Sequence, residues 1–204
     1  TAGYKKEQAV TSNFGNLLIN KYKQNGIIEE TTPIGSVSTI RAIIGNNTVH
    51  SMGALEETGN ATDFAIMGAG FFAVDSGGQI LYTRNGSFNI DDEGYLALSG
   101  IGRIQGEFGD IYIGGDKFDF LPDGSIMIEG EEEDKIAVYN FLDYNSLRKF
   151  GEGMFLADRS PELVEYPVIS NKTIERSNVD ITEELTSMLA SQRALQTASQ
   201  AFKI

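Results

Sequence analysis

Cysteine is absent from the chain and histidine is represented once, by His50. Without cysteine, neither a disulfide framework nor a thiolate metal site can exist. A histidine-based metal centre or general base would hang on His50 alone. Positive charge is also scarce: 16 lysines and arginines stand against 29 acids, giving a net charge of -13. A phosphate backbone would be repelled, because nucleic-acid binding needs clustered Lys and Arg to displace counterions. No apolar run approaches the ~20 residues that a membrane helix needs, and no cleavable signal peptide is visible. The G-x-S-x-G elbow and the EF-hand pattern are missing as well. The sequence therefore predicts no enzyme, no metal, no cofactor, no nucleic acid and no small-molecule substrate.

What is present is a β grammar. With 204 residues, 41% hydrophobic and 22% charged, the chain suits one sizeable β domain with a helical appendage. Turn dipeptides recur at Gly77-Gly78, Asn85-Gly86, Glu93-Gly94, Gly114-Gly115 and Asp123-Gly124. Strand-like runs lie between and beyond them, at 64–67, 71–74, 80–83, 87–90, 95–98, 111–113, 118–121, 125–129 and 136–141. Asn-Gly and Gly-Gly supply the positive φ of tight hairpins, so this spacing predicts an antiparallel domain and not βαβ units. The β-branched stretch over 31–49 suits extended structure. Before it, Phe14, Leu17, Leu18 and Tyr22 have helical spacing, and Asn25-Gly26 marks a turn. Three segments result: 1–30, a β domain over 31–170, and a helical segment over 171–204.

The last segment has a different character. Asp180 with Glu183 fits a capping box, and no Gly or Pro follows. Ile181, Leu185, Met188, Leu195 and Phe202 keep a four-three spacing, which Leu189 and Ala198 widen. Gln192 and Ser199 occupy positions that a strong coiled coil would make apolar. The pattern predicts a long amphipathic helix with an imperfect seam and no evident partner within the chain.

Candidates for chemistry are weak beside this. Asp91, Asp92 and Glu93 precede Gly94 and read as a hairpin turn. Glu131, Glu132, Glu133 and Asp134 read as a solvated tip. Gly68-Ala69-Gly70 and Gly100-Ile101-Gly102 open no helix, so they lack the dipole that a phosphate cradle needs. His50, in a turn near Met52, reads as a structural or surface residue. A rival reading from another class is a secreted carbohydrate-binding or carbohydrate-active β protein, using the acidic turns with Tyr112, Tyr139 and Tyr144.

Particular residues are more specific than the grammar. Thr58-Gly59-Asn60, Asp63, Ala65-Ile66, Gly68, Gly70-Phe71-Phe72, Val74, Tyr82-Thr83-Arg84, Gly86, Phe88, Gly94-Tyr95-Leu96 and Gly106 follow the order T-G-N, D-x-A-I, G-x-G-F-F-x-V, Y-T-R-x-G-x-F, G-x-L, G. Together they resemble the bacterial flagellar rod and hook-basal-body family. Thr1-Ala2-Gly3-Tyr4-Lys5 resembles the tail of its N-terminal N-T-x-G-[FY]-K motif. Ser177-Asn178-Val179-Asp180, Glu184-Leu185, Met188 and Gln192-Arg193-Ala194 resemble its C-terminal motif, with Leu195 where an aromatic residue is usual.

The resemblance implies a structural rod subunit of the flagellar basal body, exported through the flagellar type III apparatus without a cleaved signal. Its partners would be copies of itself, other rod and hook proteins, and the export apparatus. Terminal helices would pack as coiled coils, with the β domain outside. The resemblance also implies a helix preceding Thr1 and missing from this chain. The expected assembly stripe is then Ile181, Leu185, Met188, Leu189, Leu195, Ala198 and Phe202. Tyr82-Thr83-Arg84 and Gly70-Phe71-Phe72 would define the fold.

Overall fold

A computed structural model describes residues 2–13, 41–115, 118–151 and 153–201. The helix expected over Phe14, Leu17, Leu18 and Tyr22, the Asn25-Gly26 turn, and Phe202 lie outside the described residues. Among the described residues there are eighteen strands and one α-helix, and every strand pairing is antiparallel. The architecture is thus mainly antiparallel β with a C-terminal helix, as the turn spacing predicts.

The larger of two compact units, Thr1–Lys5 with His50–Ile204, is built around a nine-stranded sheet. Its centre is the strand Phe71–Asp75, which pairs with Ile80–Thr83, with Gly102–Ile104 at Val74 and Asp75, and with Val138–Asn140 at Phe71 and Phe72. The central strand is apolar on both faces because both faces are covered. Successive side chains alternate across a strand, so Phe72 and Val74 enter one core cluster while Phe71 and Ala73 enter another. The first cluster also holds Phe64, Phe88, Leu96 and Ile104, and the second holds Tyr82, Phe141 and Phe155. Burying each of these large side chains contributes about 1.5–3 kcal/mol.

The hairpin between Phe71–Asp75 and Ile80–Thr83 turns at Gly77 and Gly78, with φ of 66° and 90°. The Ser76 N–H donates to the Gln79 carbonyl at 2.9 Å and closes it. Asn85-Gly86 differs from expectation. Gly86 is not in the left-handed region; instead its carbonyl accepts the Phe64 N–H at 2.9 Å, and a Cβ there would run into the Phe64 carbonyl. The glycine serves close approach of two backbones, not a turn.

Some expected strands are shorter than their apolar runs. Only Asn89–Ile90 of 87–90 and Asp119–Phe120 of 118–121 are strand, and 111–113 contributes a single bridge, Tyr112 with Tyr95. Two short pairings near the chain end position the site. Ile169–Asn171 pairs with Phe64–Ile66, and Thr173–Glu175 pairs with Leu55–Glu57. They hold the residues just before the helix against the early strands.

The smaller unit is Lys6–Val49. Its described part is a pair of strands, Glu7–Asn13 and Arg41–Thr48, with a register shift between Val10 and Thr11. The Val49 N–H donates to the Lys6 carbonyl at 2.8 Å at its base.

Candidate assembly surface

Helix α1 spans Ile181–Ala201. Asp180 caps it: one carboxylate oxygen accepts the Thr182 N–H at 2.8 Å and the Glu183 N–H at 3.2 Å. That satisfies two of the orphan donors of the first turn. Glu183 and Glu184 place negative charge at the positive end of the helix dipole. The hydroxyls of Thr186, Ser191 and Thr197 donate to the carbonyls four residues earlier at 2.8, 2.9 and 2.9 Å.

The described residues of the expected stripe are all exposed. Ile181 is 71% exposed, Leu185 56%, Met188 59%, Leu189 55% and Leu195 72%, and Ala198 is exposed too. Phe202 cannot be placed, lying outside the described residues. Covering the exposed part of these five side chains would yield about 5–9 kcal/mol of transfer free energy, from which the cost of association must be subtracted. In this helix of 21 residues every described side chain is exposed, and helices without tertiary cover are marginal in water.

The segment leading into α1 is held by a dense set of buried hydrogen bonds. Glu175, 1% exposed, has one carboxylate oxygen accepting from Lys5 Nζ at 2.5 Å and from the Gly53 N–H at 2.9 Å, and the other accepting from Arg84 Nε at 2.9 Å. Lys5 and Arg84 are themselves 2% and 5% exposed. Arg84 donates its two terminal nitrogens to the Gly70 and Gly68 carbonyls, each at 2.7 Å. Lys5 donates also to the Ser51 carbonyl at 2.7 Å, and the same oxygen accepts from Asn178 Nδ2 at 3.0 Å. Burial pushes the Lys5 amine below its usual pKa, against the raising effect of the Glu175 carboxylate. Beside this cluster a groove of about 700 Å³ runs between Ala2, Tyr4, Ala54, Ile174, Val179 and Ile181.

Sequence reasoning assigned Arg84 to the fold but missed the cluster. Its signal was the lone acid of an alternating strand: Thr173 and Glu175 point inward on Thr173–Glu175 while Ile174 lies between them. His50 also belongs to this neighbourhood. Its ring packs on Phe71, Tyr144 and Phe155, its buried Nδ1 has no hydrogen-bond partner, and burial aided by Lys5 and Arg84 lowers its pKa to about 4.

The acidic candidates fall into two kinds. Asp91 behaves as a turn residue: it accepts the N–H groups of Glu93 and Tyr95 and pairs with Arg103 at 2.9 Å. The Tyr95 N–H, with Arg103 and Glu93, lowers its pKa. Glu131–Lys135 is not a solvated tip but a strand paired with Ser125–Ile128. Glu131, Glu132 and Glu133 stay exposed, while Asp134 is buried and accepts the N–H groups of Glu107 at 3.2 Å and Lys135 at 2.7 Å. A charge run hides this because only the inward member of the alternation bonds the fold. Of the tyrosines, Tyr112 is half exposed, whereas Tyr139 and Tyr144 are partly buried against the second core cluster. They form no open stacking platform, and the carbohydrate reading has no support. Among the described residues no three His, Asp or Glu side chains gather as a metal site would require.

Residues 65–130 match the family described as the flagellar hook protein FlgE/F/G D1 domain, and residues 170–204 match the flagellar basal body rod FlgEFG protein C-terminal family. The flagellar basal-body rod protein FlgG of Buchnera aphidicola subsp. Schizaphis graminum is 30% identical over 98% of this chain and 83% of its own length. That of Bacillus subtilis is 32% identical over 76% of this chain and 65% of its own. The flagellar hook protein FlgE of Treponema pallidum is 46% identical, but over only 29% of this chain and 13% of its own.

Proposed function

We propose, on the premise that this chain belongs to the flagellar basal-body rod protein family, that α1 is the element through which it polymerises. The protein is a structural subunit of the rod, in the flagellar basal body. Rod rather than hook is favoured by the extent of the match, which covers 83% of a rod relative and 13% of a hook relative. The observation that carries the assembly reading is the exposed stripe Ile181, Leu185, Met188, Leu189 and Leu195 on a capped helix. Ala198 and Phe202 extend the same interface. The natural occupants are terminal helices of neighbouring copies and of other rod and hook proteins, so residues 171–204 act as the core segment and the β domain as an outer layer. Delivery is through the flagellar export apparatus. The protein works by packing, not by catalysis, and engages neither nucleic acid nor a small-molecule substrate.

The experiment is Leu185→Asp combined with Leu195→Asp in the full-length protein. Light scattering should show polymerisation abolished, while circular dichroism shows the β domain folded. Unchanged polymerisation would remove α1 from the assembly surface.

A further inference from the structure

Charges from three distant stretches of chain meet out of water just before α1. Two cations, Lys5 and Arg84, surround one carboxylate, Glu175, all at most 5% exposed. As a source of stability this is a poor arrangement. Removing ions from water costs several kcal/mol each, and hydrophobic residues of similar volume often do as well or better. The cluster also carries one more positive charge than negative. What it supplies is direction, because charge-assisted hydrogen bonds hold their geometry. Glu175 is approached by Lys5, Arg84 and the Gly53 N–H. Arg84 is fixed by the Gly68 and Gly70 carbonyls.

The bonding then continues toward the helix. Lys5 reaches the Ser51 carbonyl, Asn178 reaches the same oxygen, and Asn178 stands two residues before the capping Asp180. Backbone contacts run alongside. The Gly3 N–H donates to the Glu175 carbonyl at 2.7 Å, and the Arg176 N–H donates to the Ala54 carbonyl at 2.8 Å. Gly3 has φ of 64°, and a Cβ there would collide with the Arg84–Asn85 backbone. Residues 3–5 are thus tied to the same cluster as the root of the helix.

We propose that Lys5, Arg84 and Glu175 form a positioning lock that fixes the direction in which residues 2–5 and α1 leave the β domain. The lock thereby sets the register in which α1 meets its neighbours. The lever is long: a helix of 21 residues spans about 31 Å, so a tilt of about 10° at its root moves its far end by about 5 Å, one helical turn. That displacement slides one apolar stripe off the next. The consequence for assembly rests on α1 being the assembly element; the directional role does not.

Because the chain has no native cysteine, spin labels can be placed at Gln79→Cys on the β domain and Ser187→Cys on α1, both exposed positions. In the full-length protein with the lock intact, the label-to-label distance distribution should be narrow. The variant Lys5→Met, Arg84→Met, Glu175→Leu replaces the charges with apolar groups. It should keep the circular dichroism of the β domain, broaden the distribution and lose polymerisation. Lys5→Met alone keeps the Arg84–Glu175 pair, retains the fold if the triple variant does not, and should broaden the same distribution. An unchanged distribution, or broadening with polymerisation intact, overturns the proposal. Polymerisation by the Leu185→Asp, Leu195→Asp protein would defeat the assembly role of α1 instead, and would leave the distances to judge the lock's directional role.

Discussion

Acid should weaken this protein through His50. The imidazole lies against Phe71, Tyr144 and Phe155 with ring centroids 5.8, 5.0 and 5.2 Å away. Protonating it would put a third cation beside Lys5 and Arg84 in a site that already disfavours charge. Burial first, and those two cations second, bring its pKa from 6.5 to about 4. In the unfolded chain the ring titrates near its ordinary value. Below pH 6.5 the unfolded chain therefore binds a proton that the folded protein refuses. Stability falls as pH drops through 6.5, and the fall levels off below about 4, where both states are protonated. Linkage over that window amounts to about 2 kcal/mol by pH 5 and about 3 kcal/mol by pH 4. The chain's single histidine makes the assay clean, since its ring protons in an NMR titration read the folded pKa directly. Urea melts at pH 7, 6 and 5 on the native protein and on His50→Phe then separate the imidazole from the carboxylates. The variant should lose about 2 kcal/mol less between pH 7 and pH 5. A folded-state pKa near 6.5, or parallel pH curves, would refute the reasoning.

Glu175→Gln should be far more damaging than any surface change, because it leaves two buried cations without their anion. A loss of about 3–5 kcal/mol, or about 6–20 °C in thermal midpoint, should appear in a melt, and a change no larger than that of Glu132→Gln would contradict it. Gly86→Ala forces a Cβ against the Phe64 carbonyl, so the soluble, folded yield should drop sharply, whereas Gly100→Ala, with open space around it and φ of 75°, should cost only about 1 kcal/mol of backbone strain. Asp134→Ala takes the carboxylate acceptor from the Lys135 N–H and leaves the Glu107 N–H with the Lys135 carbonyl at 3.0 Å, and should cost about 1–3 kcal/mol in urea unfolding; Glu131→Ala, on the exposed side, should fall within about 0.5 kcal/mol of the native protein.

The antiparallel class was legible because alternation and glycine turns are local signals. The run Phe71-Phe72-Ala73-Val74 reads as a strand from its side chains alone, and Gly77-Gly78 reads as its turn. Helix α1 was legible for the same reason, with Asp180 as a start signal and a four-three stripe behind it. What stayed hidden needs contacts across long stretches of chain. Glu175 meets Lys5 across 170 residues and Arg84 across 91, so no window of sequence contains the cluster. Asp134 and Glu131 look alike in a run of acids, and only strand register decides which one turns inward. Gly86 sits in an Asn-Gly pair that advertises a turn, yet the Phe64 backbone is what forbids a side chain there. His50 carries no neighbouring ligand in sequence, and its low pKa comes from burial and from cations supplied by distant parts of the chain.

The central claim is that the exposed stripe of α1 faces a neighbouring subunit in the assembled rod. Site-specific cross-linking in assembled rods tests it most directly, using the cysteine-free background. Met188→Cys lies on the stripe, and Thr197→Cys lies about 180° around the helix from it at 100° per residue. The account predicts that Met188→Cys cross-links to an adjacent subunit in high yield and that Thr197→Cys does not. Efficient cross-linking from Thr197→Cys with none from Met188→Cys would contradict it.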